Sequence, residues 1–336
     1  MKGIVKAKLD KLRDDYAQNS GQPFKYFYCP ILYRDEKKPL CMAHIVNKAF
    51  PNSSRAWTVQ REDVDNFYGS KFESDFTVIK HSGKYTPDEV LSDKHLSKIL
   101  KPKILLNDNP IDYYYTENNI PDQFSPAIIG KNGQTSKFAL KIAPEAVMNE
   151  IESDWEIDIS RDLRLSALVS LIKSAHLTLF EMLGYKYVLS AGGNFVGQHI
   201  IGKFFEQNKS KAKAEVLENA LTFFRDFAHM VRPLQSKNNG FKGTISDNQL
   251  LACRDANNNI WALIVFIRTN KNLHAVLIPI FDNVETIPKF INFLKSEKET
   301  IDVNFCRFKI ENWELSKKSI KLTWPKTGIL YPEMGE

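Results

Sequence analysis

In the second half of this chain, the spacing of hydrophobic residues changes from helical to short β-rich runs, and this change limits the folds it can adopt. The strongest helical pattern has apolar residues three and four apart over residues 160–183 and is followed by Gly184. Later in the chain, short runs over residues 249–254, 261–268 and 273–281 are joined by Asn-rich turns, which predicts an antiparallel meander. Helical and β-rich segments kept apart in this way indicate an α+β protein.

The first 80 residues predict a separate group of short elements. Residues 3–17 carry apolar side chains at helical spacing and predict an amphipathic helix. Residues 24–28 and 39–46 predict two strands separated by a polar loop, and residues 61–72 predict the helix that follows them. The predicted order is therefore helix, strand, strand, helix.

Composition narrows the class of protein. The chain has 336 residues, of which 43% are hydrophobic and 26% charged, as in an ordinary globular protein of about two domains. It has no apolar run of about 18 residues that would cross a membrane, and its charged start does not resemble a secretory signal. We therefore expect a cytoplasmic protein with no membrane partner. Its four scattered cysteines do not predict a disulfide framework.

Three segments near the start carry residue types suited to chemistry. They are residues 28–32 (Tyr-Cys-Pro-Ile-Leu), residues 40–48 (Leu-Cys-Met-Ala-His-Ile-Val-Asn-Lys) and residues 63–73 (Asp-Val-Asp-Asn-Phe-Tyr-Gly-Ser-Lys-Phe-Glu). Together they resemble the HNH endonucleases, also called ββα-metal nucleases, over about a fifth to a quarter of the chain. The resemblance implies an N-terminal ββα unit that hydrolyses phosphodiester bonds with one divalent ion, Mg²⁺ or Mn²⁺.

The resemblance also implies a role for each site residue. His44, at the end of a strand, would be the general base, because imidazole is largely neutral near pH 7. Asn66 would bind the metal, and Glu73 would orient a metal-bound water, since oxygen ligands suit Mg²⁺. On the residues alone, His44 could instead pack between hairpin and helix, and Glu73 could be a solvated helix residue.

The chain departs from the family pattern in three respects. Cys29 begins a Cys-Pro-x-Cys knuckle whose second cysteine is replaced by Leu32, and the second knuckle has no cysteines. A structural zinc site needs about four ligands, so we expect no structural Zn²⁺ here. Ala43 stands immediately before the base, where many members of the family place a metal ligand.

Basic residues around these segments could bind phosphates. The net charge of +6, from 46 basic and 40 acidic residues, permits a polyanionic partner without requiring one. We expect double-stranded DNA to be that partner. The candidate phosphate-binding residues are Lys48, Arg55, Arg61 and Lys71.

These inferences give a predicted organisation of three parts. Residues 1–85 would form the HNH-like unit, residues 86–159 an extended Pro-rich connection, and residues 160–336 a helical core with a C-terminal antiparallel β-rich segment. The predicted function is a metal-dependent DNA endonuclease, which by analogy would serve restriction or anti-phage defence, and a homo-oligomer is left open. One alternative is a catalytically inactive HNH-like module that binds nucleic acid. The other is an interaction protein with an accidental resemblance.

Overall fold

The computed structural model divides the chain into two compact units, residues 1–73 with 164–336, and residues 74–163. The described residues are 3–46, 56–69, 103–106, 109–111, 113–115, 125–127, 138–140, 155–158, 165–209, 224, 227–234, 250–255, 257, 259–269, 272–280, 282, 284–296, 298–309, 312–325 and 332–333. Helices and antiparallel sheets both occur among them, which confirms the α+β class. Among the described helices, none is long and apolar enough to cross a membrane.

The chain opens with helix α1, Gly3–Ser20, as predicted. Its apolar face buries Val5, Leu9 and Leu12. The predicted strand over residues 24–28 is wrong, because only an isolated bridge between Tyr28 and Asp35 forms there. The reason is local: the carboxylate of Asp35 accepts the backbone N–H groups of residues 25, 26 and 27, so these donors cannot join a ladder.

A hairpin and a helix follow. Strand β1, Leu40–His44, pairs antiparallel with β2, Trp57–Arg61, and residues 62–69 form helix α2 directly after it. The predicted strand over residues 39–46 thus contains β1. The helix begins at residue 62, one residue later than predicted, because Arg61 is the last residue of β2 and pairs with Leu40.

The longest described helix is α3, Leu165–Val188. Gly184 interrupts it with φ 62° and ψ −150°, at the residue where the sequence predicted its end. At this break α3 contacts α1, because the N–H of Tyr185 donates to Oδ2 of Asp15 at 2.6 Å. The chain continues through α4, Ala191–Asn194, a π-helix, Phe195–Gly202, and α5, Lys203–Lys209.

Besides these helices, the same unit contains a seven-stranded antiparallel sheet. Its strands are β9 Val231–Leu234, β10 Leu250–Arg254, β11 Ile260–Thr269, β12 Asn272–Pro279, β13 Lys298–Lys309, β14 Asn312–Pro325 and β15 Pro332–Glu333, in the order β15-β14-β13-β10-β11-β12-β9. The predicted meander corresponds to β10, β11 and β12, which are neighbours. Helix α6, Ile287–Lys295, lies between β12 and β13 in the chain and buries Phe290 and Leu294.

The second unit contains two small antiparallel sheets of three strands each. The strands are β3 Lys103–Leu106, β4 Asn109–Ile111, β5 Tyr113–Tyr115, β6 Ser125–Ala127, β7 Phe138–Leu140 and β8 Trp155–Asp158. The orders are β4-β3-β8 in one sheet and β5-β7-β6 in the other. All six lie within residues 86–159, the segment for which the sequence predicted an extended connection with a few strands.

Candidate functional site

The hairpin places His44 at one end, where β1 stops. His44 lies directly opposite Trp57, the first residue of β2, and its side chain is half-buried. One further hydrogen bond, from the N–H of Ile45 to the carbonyl of Ala56 at 3.0 Å, extends the pairing past the strand end. His44 thus occupies a fixed backbone position beside the loop that joins the two strands.

The two faces of β1 differ in their surroundings. Successive strand residues point to opposite faces, so Cys41 and Ala43 share one face while Met42 and His44 share the other. Ala43 is fully buried, with 0% exposure, whereas Met42 is 41% exposed. The position before His44 therefore belongs to the buried side of the hairpin and carries a methyl group there.

Helix α2 packs by one side and leaves Asn66 on the surface. Val64, Phe67 and Tyr68 are buried, and Asn66 is exposed. The Tyr68 hydroxyl donates to the carbonyl of Ile201 in the π-helix at 2.7 Å. These contacts fix the helix against the rest of its unit and leave the amide of Asn66 accessible from solvent.

A polar contact joins β1, α2 and α3. The thiol of Cys41 lies 3.7 Å from Oδ2 of Asp65, and Nζ of Lys173 lies 3.7 Å from Oδ1 of the same carboxylate. Burial, followed by the charge of Asp65, raises the pKa of Cys41 to about 12. The thiol is therefore protonated at neutral pH and donates to the carboxylate. Neither Asp65 nor Lys173 was a predicted site residue.

Arg61 lies at the other end of the hairpin from His44. The two residues are four positions apart along paired strands, a separation of about 13 Å at strand rise. Arg61 is only 4% exposed and forms ion pairs with Glu36 at 2.5 Å and Asp63 at 2.8 Å. The structure thus gives this predicted phosphate-binding residue a buried, paired position away from the strand end.

Residues 29–33, for which the sequence suggested a likeness to a zinc knuckle, form a tight turn. The N–H of Leu32 donates to Sγ of Cys29 at 3.5 Å, and the N–H of Tyr33 donates to the Cys29 carbonyl at 2.9 Å. Cys29 is fully buried and Leu32 is 5% exposed. Burial raises the pKa of Cys29 to about 11, so the thiol stays protonated.

Helix α3 and the π-helix hold this turn in place. Nε2 of His176 lies 2.9 Å from the Pro30 carbonyl, which can only accept, so Nε2 carries the proton. Nδ1 then accepts from the Tyr187 hydroxyl at 2.9 Å. A Cβ on Gly197 or Gly202 would come within 2.7 Å of the carbonyl oxygens of residues 30 and 31, so glycine allows this close approach.

Four predicted site residues, Glu73, Lys48, Arg55 and Lys71, lie outside the described residues. Within the described part, no three His, Cys, Asp or Glu side chains are grouped as a metal site would require. Comparison with family models, with curated proteins and with solved structures found no match to this chain.

Proposed function

We propose that this protein is a metal-dependent endonuclease that hydrolyses phosphodiester bonds in double-stranded DNA. The observation that carries the proposal is the local order of elements. Strand β1 ends at His44, β2 returns beside it, and α2 follows directly with Asn66 exposed on its surface. A base at a strand end and an oxygen ligand on the next helix are the two parts that this chemistry requires.

His44 would act as the general base. The residue is half-buried and lies opposite Trp57, so the strand pairing sets its backbone position. A base in this role must come within hydrogen-bond reach of the attacking water, so a fixed strand end suits it better than a long surface loop.

The donor set fits a hard cation. Asn66 is an exposed residue whose amide oxygen would bind the ion, and Glu73 would add a carboxylate; these are the ligand types that Mg²⁺ and Mn²⁺ take. When bound, the ion would stabilise negative charge on the scissile phosphate. Ala43 supplies no ligand, so most of the remaining coordination would come from water and phosphate oxygens.

Lys48, Arg55 and Lys71 would bind the DNA backbone. In the sequence, Lys48 and Arg55 fall between β1 and β2, and Lys71 follows α2, so all three are near the proposed base and ligand along the chain. Arg61 is not part of this proposal, because its two ion pairs and its place at the far end of the hairpin give it a structural role.

A catalytically silent nucleic-acid-binding module is the second candidate. The observation that favours it is Ala43, which is fully buried and offers no oxygen where a metal ligand would strengthen the site. Such a module would still bind DNA through the phosphate contacts, which supply most non-specific affinity.

The experiment is a plasmid-nicking assay with the full chain, purified free of contaminating nucleases. Incubation of supercoiled DNA with Mg²⁺ or Mn²⁺ should give open-circular and linear products, and EDTA should prevent this. A gel-shift titration in EDTA reports binding separately. DNA binding without cleavage under any divalent ion would select the silent module, and neither binding nor cleavage would reject both candidates.

A further inference from the structure

The helix that carries Asn66 is tied to two other elements through the residue before it. The carboxylate of Asp65 contacts the Cys41 thiol of β1 through one oxygen and the Lys173 ammonium of α3 through the other, each at 3.7 Å. One side chain of α2 therefore fixes the helix to the strand that ends at His44 and to the longest helix of the unit.

The residue of α3 in this contact, Lys173, is a buried cation. Lys173 is 5% exposed and stands between the fully buried residues Ile172 and Ala175. An ammonium in such surroundings requires an opposite charge nearby. Asp65 provides it, and the ring of Tyr68 lies 5.3 Å below the ammonium. Asp65 and Tyr68 are three residues apart, so Lys173 contacts one face of α2 over a full turn.

The face of the hairpin that carries Cys41 is buried and includes polar side chains. Cys41 lies opposite Gln60 in the hairpin, and Ala43 lies opposite Thr58. Gln60 and Thr58 are both 0% exposed, and their side-chain polar atoms have no hydrogen-bond partner in the described structure. The hydrogen bond from the Cys41 thiol to Asp65 is a polar contact between this face of the hairpin and α2.

We infer that Asp65, held by Lys173 and Cys41, is a positioning residue that sets the rotation of α2 and hence the direction of the Asn66 amide. Each helix residue is turned by about 100° from the one before it, so a rotation that displaces Asp65 also turns Asn66 away. The inference rests on the proposed function, because it assigns this contact to the same metal ligand.

The test compares Asp65→Asn with Glu62→Gln, which makes the same change of charge at an exposed position of the same helix. Free Mn²⁺ is measured by electron paramagnetic resonance, and nicking is measured over a range of Mn²⁺ concentrations. Asp65→Asn should raise the half-saturating Mn²⁺ concentration about tenfold to a hundredfold in both assays, the range typical of losing a group that orients a metal ligand. Glu62→Gln should stay within about twofold, since exposed charges contribute little.

A purely structural role would lower the melting temperature and the active fraction without moving the Mn²⁺ midpoint. Asp65→Glu, which keeps the charge, should recover most of the affinity. If Asp65→Asn melts below the assay temperature, Cys41→Ala carries the test, because it removes the thiol contact and keeps the ion pair. A folded Asp65→Asn or Cys41→Ala protein with the wild-type midpoint would overturn the inference.

The same measurements separate this inference from the proposed function. His44→Ala should lose cleavage while keeping the wild-type Mn²⁺ midpoint. Wild-type protein that cleaves and depends on His44, but whose midpoint is insensitive to Asp65, would reject only the positioning role. Wild-type protein that neither binds Mn²⁺ nor cleaves would reject the proposed function, and the positioning role with it.

Discussion

At the residue scale, His176 shows how this chain holds the turn at residues 29–33 by packing. Its ring is fully buried and bridges the Pro30 carbonyl and the Tyr187 hydroxyl. Burial lowers the pKa of His176 to about 4, and protonation of Nδ1 would also remove the acceptor for Tyr187. The imidazole is therefore neutral in the folded protein near pH 7.

This lowered pKa predicts a loss of stability in acid. An unfolded histidine takes up its proton near pH 6.5, whereas folded His176 does so near pH 4, so stability is lost as the pH falls between these values. The contribution is at most about 3 kcal/mol. His274, also buried with its pKa lowered to about 4, acts in the same direction.

Urea unfolding at pH 7 and pH 4.5 measures the effect. His176→Gln, whose amide can still donate to the Pro30 carbonyl, should lose less stability than wild type over this range. His199→Gln, at an exposed position of the π-helix, should behave as wild type. Equal acid sensitivity of wild type and His176→Gln would show that His176 is not neutral in the folded state.

At the element scale, the joint between α1 and α3 depends on Gly184. Its φ of 62° is left-handed, and a Cβ there would lie 2.2 Å from Oδ2 of Asp15, the acceptor for the Tyr185 N–H. Gly184→Ala should therefore lower the free energy of unfolding by about 2 to 4 kcal/mol, from backbone strain and a displaced hydrogen bond.

Gly21 is the matched control for this prediction. It also has a left-handed φ, of 85°, but a Cβ there meets no atom within 4 Å. Gly21→Ala should cost only the strain of about 1 to 2 kcal/mol. Equal costs for the two substitutions, measured by chemical denaturation, would mean that the contact with Asp15 does not stabilise the joint.

The elements were predictable where local patterns decide them. Helix α1, strands β10 to β12 and the break at Gly184 follow from apolar spacing and a single glycine. Strand β2 was missed because Gln60 and Arg61 look like surface residues, and only contacts far along the chain, such as the ion pair with Glu36, account for their burial. The false strand over residues 24–28 arose because the capture of three N–H groups by Asp35 leaves no periodic signal.

The candidate site shows the same division. His44 and Asn66 were predicted as site residues from a resemblance carried by short local segments, and the structure places His44 at a strand end and Asn66 on the following helix. Asp65 and Lys173 were missed because their contact joins residues 108 positions apart, counted from their printed numbers. A lysine within the apolar pattern of α3 was the one available signal, since a buried ammonium requires a carboxylate somewhere.

At the scale of the whole molecule, residues 1–73 belong to the same compact unit as residues 164–336. Hydrogen bonds of the early segment are completed by the later one: Ser174 donates to the Ile45 carbonyl at 2.8 Å, and Tyr33 donates to the Val188 carbonyl at 2.7 Å. The hairpin and α2 are thus held by a scaffold that follows them by about a hundred residues.

This dependence predicts that a fragment of residues 1–85 does not fold alone. Without α3 and the π-helix, Phe67, Tyr68 and Ile31 would be exposed, and the fragment would lack most of its core. Its amide proton spectrum should show narrow dispersion, and it should unfold without a cooperative transition. A dispersed spectrum with a sharp melting transition would show that the early segment is an independent domain.

The most direct test of the central claim is the single-turnover cleavage rate of a labelled DNA duplex with saturating Mn²⁺. His44→Ala should lower this rate by about a hundredfold to ten-thousandfold, the usual cost of losing a general base. His199→Ala, which removes an exposed imidazole from the π-helix, should leave the rate unchanged. Equal rates for wild type and His44→Ala, or no cleavage by wild type, would contradict the assignment of this protein as a His44-dependent endonuclease.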